Sequence, residues 1–312
     1  MHKQEKHEHG PGHIHVETDV KGLRLLFVII LNFVITVAQI IGGLVSGSLS
    51  LISDALHNFS DGVSIIISYL AIKVSRKEKD TSKTFGYKRA TILAALLNSS
   101  VLIVIAILLF KEAYDRFANP QMVNGGLVIW VALIGLFANL VGMLLLRKNA
   151  KGDLNLKASY LHLLSDTLSS VGVIIGGILI YFFNFYWVDP LLTILIALYV
   201  LVESYQIVKK AVQILMQGVP ANIDIDAIVE ELEATDSIVN VHHVHIWSLD
   251  EKSINFEAHV IIEDMPVSET QKIDNEIERL LERYGINHIT LQFECECCNG
   301  DCYTKKEVII NE

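Results

Sequence analysis

Leu56-His57-Asn58-Phe59-Ser60-Asp61 stands inside an apolar run, Leu49 to Val74, that is long enough to cross a bilayer. The same pattern returns as Leu161-His162-Leu163-Leu164-Ser165-Asp166 inside a second run, Ala158 to Phe182. Residues i and i+4 lie one above the other on a helix face, so each copy presents an imidazole beside a carboxylate. Two such faces turned toward each other offer two nitrogens and two oxygens, which is the ligand number and type of a closed tetrahedral zinc site.

Working outward, four further apolar stretches of about 20 residues, the length a helix needs to span the hydrocarbon, lie at Leu23 to Val45, Ala90 to Phe110, Leu127 to Leu146 and Leu191 to Val208. With 52% hydrophobic residues in 312, the chain reads as an α-helical membrane protein with six transmembrane helices. The first run is longer than the core of a cleaved leader and follows a polar, His-rich segment, so it reads as a span. Basic residues flank alternate connections: Lys21 and Arg24 before the first span, Arg76 to Arg89 after the second, Arg147 to Lys157 after the fourth, Lys209 and Lys210 after the sixth. The connections Ser46 to Ser48, Ala118 to Gly126 and Asn184 to Pro190 carry no Lys or Arg. The positive-inside rule then puts both termini in the cytoplasm.

Four regions follow: a His-rich cytosolic tail (residues 1–22), expected to be disordered, with His2, His7, His9, His13 and His15; a six-helix membrane domain (23–215); a cytosolic α+β domain (216–294); and a Cys-containing tail (295–312). From Met216 onward there are 21 acidic against 6 basic residues, a charge of −15 within a chain whose net charge is −10. This acidity suits either a cation attractor or a solvated surface, and argues against nucleic acid as a partner. In that domain Asp224 to Ala234 has helical spacing, Val239 to Trp247 and Ile254 to Ile262 are β-branched runs, Ser268 to Tyr284 reads as a helix capped by Ser268 and ended by Gly285, and Ile289 to Phe293 reads as a third strand. The predicted order is α-β-β-α-β.

An ionisable residue at bilayer depth is costly unless paired, and so marks function. At 1.5 Å per residue Asp61 falls roughly 18 Å from the outer end of its span and Asp166 roughly 13 Å from the inner end of its own, both near the midplane. Two carboxylates neutralise a divalent ion and two neutral imidazoles complete its shell. Without the ion two close carboxylates cannot both stay charged in low dielectric, so protons and metal compete for one site. Asp54 shares the face of His57 and Asp61 and is expected to be a hydrogen-bonding partner or proton acceptor near the outer mouth, not a ligand. Asn32, Gln39, Asn98 and Asn139 read as packing amides, and Gly42, Gly43, Gly47 and Gly172-x-x-x-Gly176 as points of close helix approach.

The two His-x-x-x-Asp faces on the second and fifth spans, Phe85-Gly86-Tyr87-Lys88-Arg89 entering the third, and Val241-His242-His243-Val244-His245-Ile246-Trp247 in the tail together resemble the cation diffusion facilitator family, closest to its zinc-exporting branch of bacterial cobalt-zinc-cadmium resistance type. The resemblance covers nearly the whole chain. It implies a homodimeric Zn2+/H+ antiporter of the bacterial inner membrane, working by alternating access, with a ferredoxin-like, metallochaperone-like cytosolic domain. His57, Asp61, His162 and Asp166 carry over as its transport site. Zinc is the expected ion, with Co2+ or Cd2+ as alternatives; imidazole suits zinc and cobalt, whereas soft cadmium prefers thiolate. The second site that some relatives hold in the loop after the second span is not expected, since Lys83 to Tyr87 contains no His. In the cytosolic domain the family's ligand positions match His242, His259 and Glu294, and a position that is His in some members is Gln292. Cys295 and Cys298 either form a thiolate pair that joins this regulatory site or are free surface thiols, disulfides being disfavoured in the cytosol. His243, His245 and His288 match no ligand position and are expected in structural or surface roles. Two rivals stand beside transport: a membrane sensor that binds zinc without moving it, and an intramembrane metallohydrolase. The second lacks the open coordination position and the His-Glu-x-x-His base that hydrolysis needs.

Overall fold

Long apolar stretches without internal proline satisfy their backbone polar groups within themselves only as helices. The structure, a computed structural model, describes Ile30, residues 33–147 and residues 154–295, with the backbone path alone for 154–163. Six helices follow in order: α1 (Phe33–Ser46), α2 (Leu49–Ser75), α3 (Ala90–Ala118), α4 (Gly125–Arg147), α5 (Leu154–Phe183) and α6 (Val188–Leu215). Among the described residues α2, α3, Asp166–Phe183 of α5 and α6 are long and apolar enough to cross a membrane, and Phe33–Ser46 and Gly125–Val141 add two shorter apolar helices. Their outward faces are apolar, as lipid requires: Leu97, Val104, Leu108, Leu195 and Val202 are exposed.

The chain divides into two compact units, Met1–Ile66 with Val101–Glu203, and Ile67–Ser100 with Ser204–Glu312. In the first, Leu51 of α2, Val128 and Ala132 of α4, and Val173 and Ile180 of α5 form a buried cluster. The start of α4 meets α5 at backbone distance: a Cβ on Gly125 would lie 2.7 Å from the Gly177 carbonyl and the Tyr181 amide. The expected small-residue approaches hold at Gly42, where a Cβ would meet Val131 at 2.6 Å, and at Gly176, where it would meet Leu192 at 2.4 Å. Gly172 is different: its nearest neighbour would be 4.0 Å away, so the space there does not require glycine. Gly47 earns its place through backbone conformation, turning α1 into α2 at φ +73°.

The second unit holds α7 (Ile225–Glu233), β1 (Ile238–Ser248), β2 (Ile254–Ile262), α8 (Val267–Glu282) and β3 (His288–Glu294). The strands lie in the order β1-β2-β3, with β1 and β2 antiparallel and β2 and β3 parallel across the α8 crossover. Ile228 and Leu232 of α7 and Ile273, Ile277 and Leu281 of α8 bury against Val241, Val244, Phe256, Ala258 and Val260 of the sheet. Asp224 caps α7 by accepting from the Asp226 and Ala227 amides. At α8 the expected Ser268 cap is corrected: the helix starts one residue earlier behind Pro266, held at φ −60°, ψ 140°, with no side-chain cap. The proline ring fixes the entry that a serine hydroxyl would otherwise secure. The α2–α3 loop and the end of α6 touch the β1–β2 hairpin within this unit: Lys88 Nζ donates to Ser253 Oγ at 2.8 Å and Lys210 Nζ to Glu251 at 2.9 Å.

Candidate metal centres

On α2, His57 and Asp61 stack at i, i+4 as the helical period requires, and α5 brings Asp166 to the same point. His57 Nε2 lies 3.6 Å from Asp61 Oδ2 and 3.8 Å from Asp166 Oδ1. One donor atom from each of the three falls within 4.8 Å of the others. Donors sharing one zinc at about 2.0–2.1 Å in a tetrahedron stand ~3.3 Å apart. The two His57–carboxylate distances are thus wider than in a filled shell by only a few tenths of an ångström. Asp166 is 2% exposed and His57 8%. The side chain of His162 lies outside the described residues, one helical turn before Asp166 on the backbone of α5.

His57 and Asp166 open on a cavity of about 300 Å³, walled by Leu192, Leu195 and Ile196 of α6 and by Ser169 of α5. Tyr199 of α6 also lines it and sets its ring edge-on to His57, at 6.2 Å between centroids. Asp54, the expected non-ligand neighbour, lies outside the donor cluster. Its two oxygens accept from Ser169 Oγ at 2.6 Å and from Gln39 Nε2 at 2.8 Å. Gln39 accepts in turn from Asn58 at 3.2 Å. Gln39, expected as a packing amide, therefore holds a carboxylate one turn from the candidate ligands.

Asp189, in the first turn of α6, escaped the sequence reading. It is 1% exposed and accepts from Ser48 Oγ (2.6 Å), Ser50 Oγ (2.6 Å), and the Leu49 (2.7 Å) and Ser50 (3.2 Å) amides. These amides are orphan donors of the first turn of α2, the helix that carries His57 and Asp61. Arg116 of α3 stands 3.9 Å from the same carboxylate and donates to the Gly47 carbonyl. The available signal was an aspartate beside proline at the start of an apolar run, across from Ser48-Leu49-Ser50.

In the cytosolic domain the strands pair His242 with His259 directly, and the register sets Glu294 opposite Ile261, two residues along from His259. His259 Nδ1 is 2.9 Å from Glu294 Oε1, and His242 Nε2 is 3.4 Å from Glu294 Oε2, with all three donors within 4.8 Å. His259 Nδ1 and Glu294 Oε2 are buried atoms without hydrogen-bond geometry to any described partner. Three converging donors, two of whose buried atoms have no hydrogen-bond partner among the described residues, fit a shared cation. Gln292 donates to Glu294 at 2.7 Å, steering the carboxylate. A register slip between His242 and His245 inserts His243 as a bulge at φ +53°, so that Val241 and Val244 both face the core while His242 remains fully buried on the opposite side of the sheet. His243 and His245 are exposed, and the His243 ring lies 4.7 Å from that of His259. Cys295 is exposed and stands outside the donor cluster, and Cys298 lies outside the described residues.

A bundle of apolar helices with a buried imidazole-carboxylate cluster, joined to a small α+β domain with a second such cluster, is a helical membrane protein that gathers side chains able to hold a metal ion in both parts. Residues 25–216 match the cation efflux transmembrane domain, and residues 220–296 the cytoplasmic domain of cation efflux proteins. The chain belongs to the cation efflux family, a family of integral membrane transporters and not of enzymes. It is 39% identical over 304 residues, 95% of this chain and 97% of the relative, to a cadmium, cobalt and zinc/H(+)-K(+) antiporter of Bacillus subtilis. It is 34% identical to the metal cation efflux system protein CzcD of Cupriavidus metallidurans, covering 93% of this chain and 92% of the relative. It is also 34% identical to the zinc transporter ZitB of Escherichia coli, covering 97% of each.

Proposed function

We propose that this protein exports Zn2+ from the cytosol in exchange for protons, with His57, Asp61, His162 and Asp166 as the four ligands of the transported ion. The observation that carries the reading is the convergence of His57, Asp61 and Asp166 within 4.8 Å, deep between two apolar helices. Burying ionisable side chains at bilayer depth is costly, and three gathered at one point mark a functional site. Two carboxylates cancel the charge of the divalent ion, and the same oxygens take protons when it leaves, so the ion and protons exclude one another and movement is coupled. His162 supplies the fourth donor from the turn before Asp166. Co2+ and Cd2+ are the alternative cargoes, in keeping with the names of the similar proteins.

Both termini face the cytoplasm of a bacterial cell, the protein works as a homodimer, and the cytosolic centre is regulatory. His242, His259 and Glu294 would hold Zn2+ there, where the ion supplies a fixed cross-link between β1, β2 and β3. The reading is tested in proteoliposomes of the full chain loaded with a pH-sensitive dye. Zinc entering should drive protons out in step with the zinc taken up. Zinc flux with no proton movement contradicts exchange, and zinc binding with neither flux leaves a sensor.

A further inference from the structure

The two helices that carry the candidate ligands are joined a second time, one turn away, by a contact that ligation does not use. His57 meets Asp166, and three residues back on α2 and three residues on along α5, Asp54 meets Ser169. The order of these pairs shows that α2 and α5 run antiparallel here, so the second contact stacks directly on the first, toward the α1–α2 turn. At 2.6 Å the Ser169 hydroxyl to carboxylate bond has the length of a charge-assisted hydrogen bond. Asp54 is held from behind: its other oxygen takes Gln39 Nε2, and Gln39, fully buried, has its remaining oxygen engaged by Asn58. The amide is wedged against α4, where a Cβ on Gly135 would come within 2.8 Å of Gln39 Nε2. Asp54 thus cannot follow Ser169 outward without drawing Gln39 of α1 with it or breaking that bond.

We propose that the Asp54–Ser169 bond fixes the width of the transport site and makes these two residues determinants of ion size selectivity. The proposal rests on the reading of His57, Asp61 and Asp166 as the site of the transported ion. A cradle whose walls are pinned one turn away favours the short bonds of zinc, about 2.0–2.2 Å to nitrogen and oxygen. A larger ion of the same charge, such as Cd2+, must push α2 and α5 apart against the strut. Asp54 and Ser169 act through the ligands and are positioning residues.

The test is metal uptake by proteoliposomes of the full chain, with Zn2+ and Cd2+ measured separately and in competition, for Ser169→Ala, Ser169→Thr and Asp54→Asn. Ser169→Ala and Asp54→Asn should raise the cadmium-to-zinc rate ratio about tenfold, the scale on which partners behind a metal's ligands act. Ser169→Thr keeps the hydroxyl and should leave the ratio as it is. A change that only loosens the fold lowers both ions alike, so an unchanged ratio in Ser169→Ala overturns the proposal. Asp61→Ala, run alongside, separates the two levels: if it still moves zinc, the site reading itself fails, whereas its loss together with an unchanged Ser169→Ala ratio rejects the strut alone.

Discussion

His259 Nδ1 approaches Glu294 Oε1 to 2.9 Å, and both Nδ1 and the other carboxylate oxygen, Oε2, are buried without a hydrogen-bond partner among the described residues, a geometry that suits a cation. His259→Ala or Glu294→Gln in the full chain should therefore bind one zinc fewer per protomer at equilibrium. At a zinc concentration 100 times its Kd, linkage gives ~2.7 kcal/mol of stabilisation to the domain that holds the ion. The variants should lose the corresponding zinc-dependent rise in unfolding temperature; an undiminished rise would remove the ion from this centre. In the membrane, His162→Ala should weaken zinc affinity at least as far as the ~10–100-fold that loss of a supporting residue costs, read by zinc titration in a His259→Ala background. The stacking of His57 and Asp61 was legible in the chain, because His-x-x-x-Asp needs only the helical period to become a face. The cytosolic cluster was legible only through resemblance. Its three residues come from three strands, and no glycine or proline in Val239 to Trp247 announces the bulge at His243.

Among the elements, α2 depends on a cap supplied from elsewhere in the sequence. Asp189→Ala leaves the Leu49 and Ser50 amides and two hydroxyls without their acceptor, and should cost about 1–2 kcal/mol of stability, the scale of a lost helix cap with its dipole contribution, seen as a lower melting temperature in detergent. An unchanged melting temperature would show that Ser48 caps the helix unaided. No periodicity announces such a contact, since Asp189 and Ser48 are 141 residues apart. In the cytosolic domain Tyr284 Oη donates to Glu231 at 2.6 Å and Arg283 adds its charge, which together hold the Glu231 carboxyl below its ordinary range. Because the folded value is depressed, the stabilisation is present above the ordinary glutamate value, about 4.3, and is lost as pH falls through the lower folded value. Glu231→Gln should flatten this acid limb of the stability curve, followed by Trp247 fluorescence between neutral pH and pH 3; an unaltered limb would contradict the assignment. Ser268 shows the opposite limit, a cap legible in the sequence and displaced by the neighbouring proline.

For the whole molecule, composition and the length of the apolar runs already dictated a helical membrane domain followed by an α+β domain, and the structure and the family matches agree. What local pattern could not convey is how the helices meet: that α2 and α5 face each other at His57 and Asp166, with Asp54 and Ser169 bonded one turn beyond. These are long-range contacts, between residues 109 and 115 positions apart, which no single segment sets alone. In the proposed exchange the paired faces act as one machine, in which zinc and protons use the same oxygens. Zinc flux into proteoliposomes under an imposed pH gradient tests this most directly, with the intact chain, Asp61→Ala and Asp166→Ala at equal reconstitution. Gradient-driven flux is expected in the intact chain and should vanish in both variants; flux that persists in both would contradict the assignment of these faces to the transported ion.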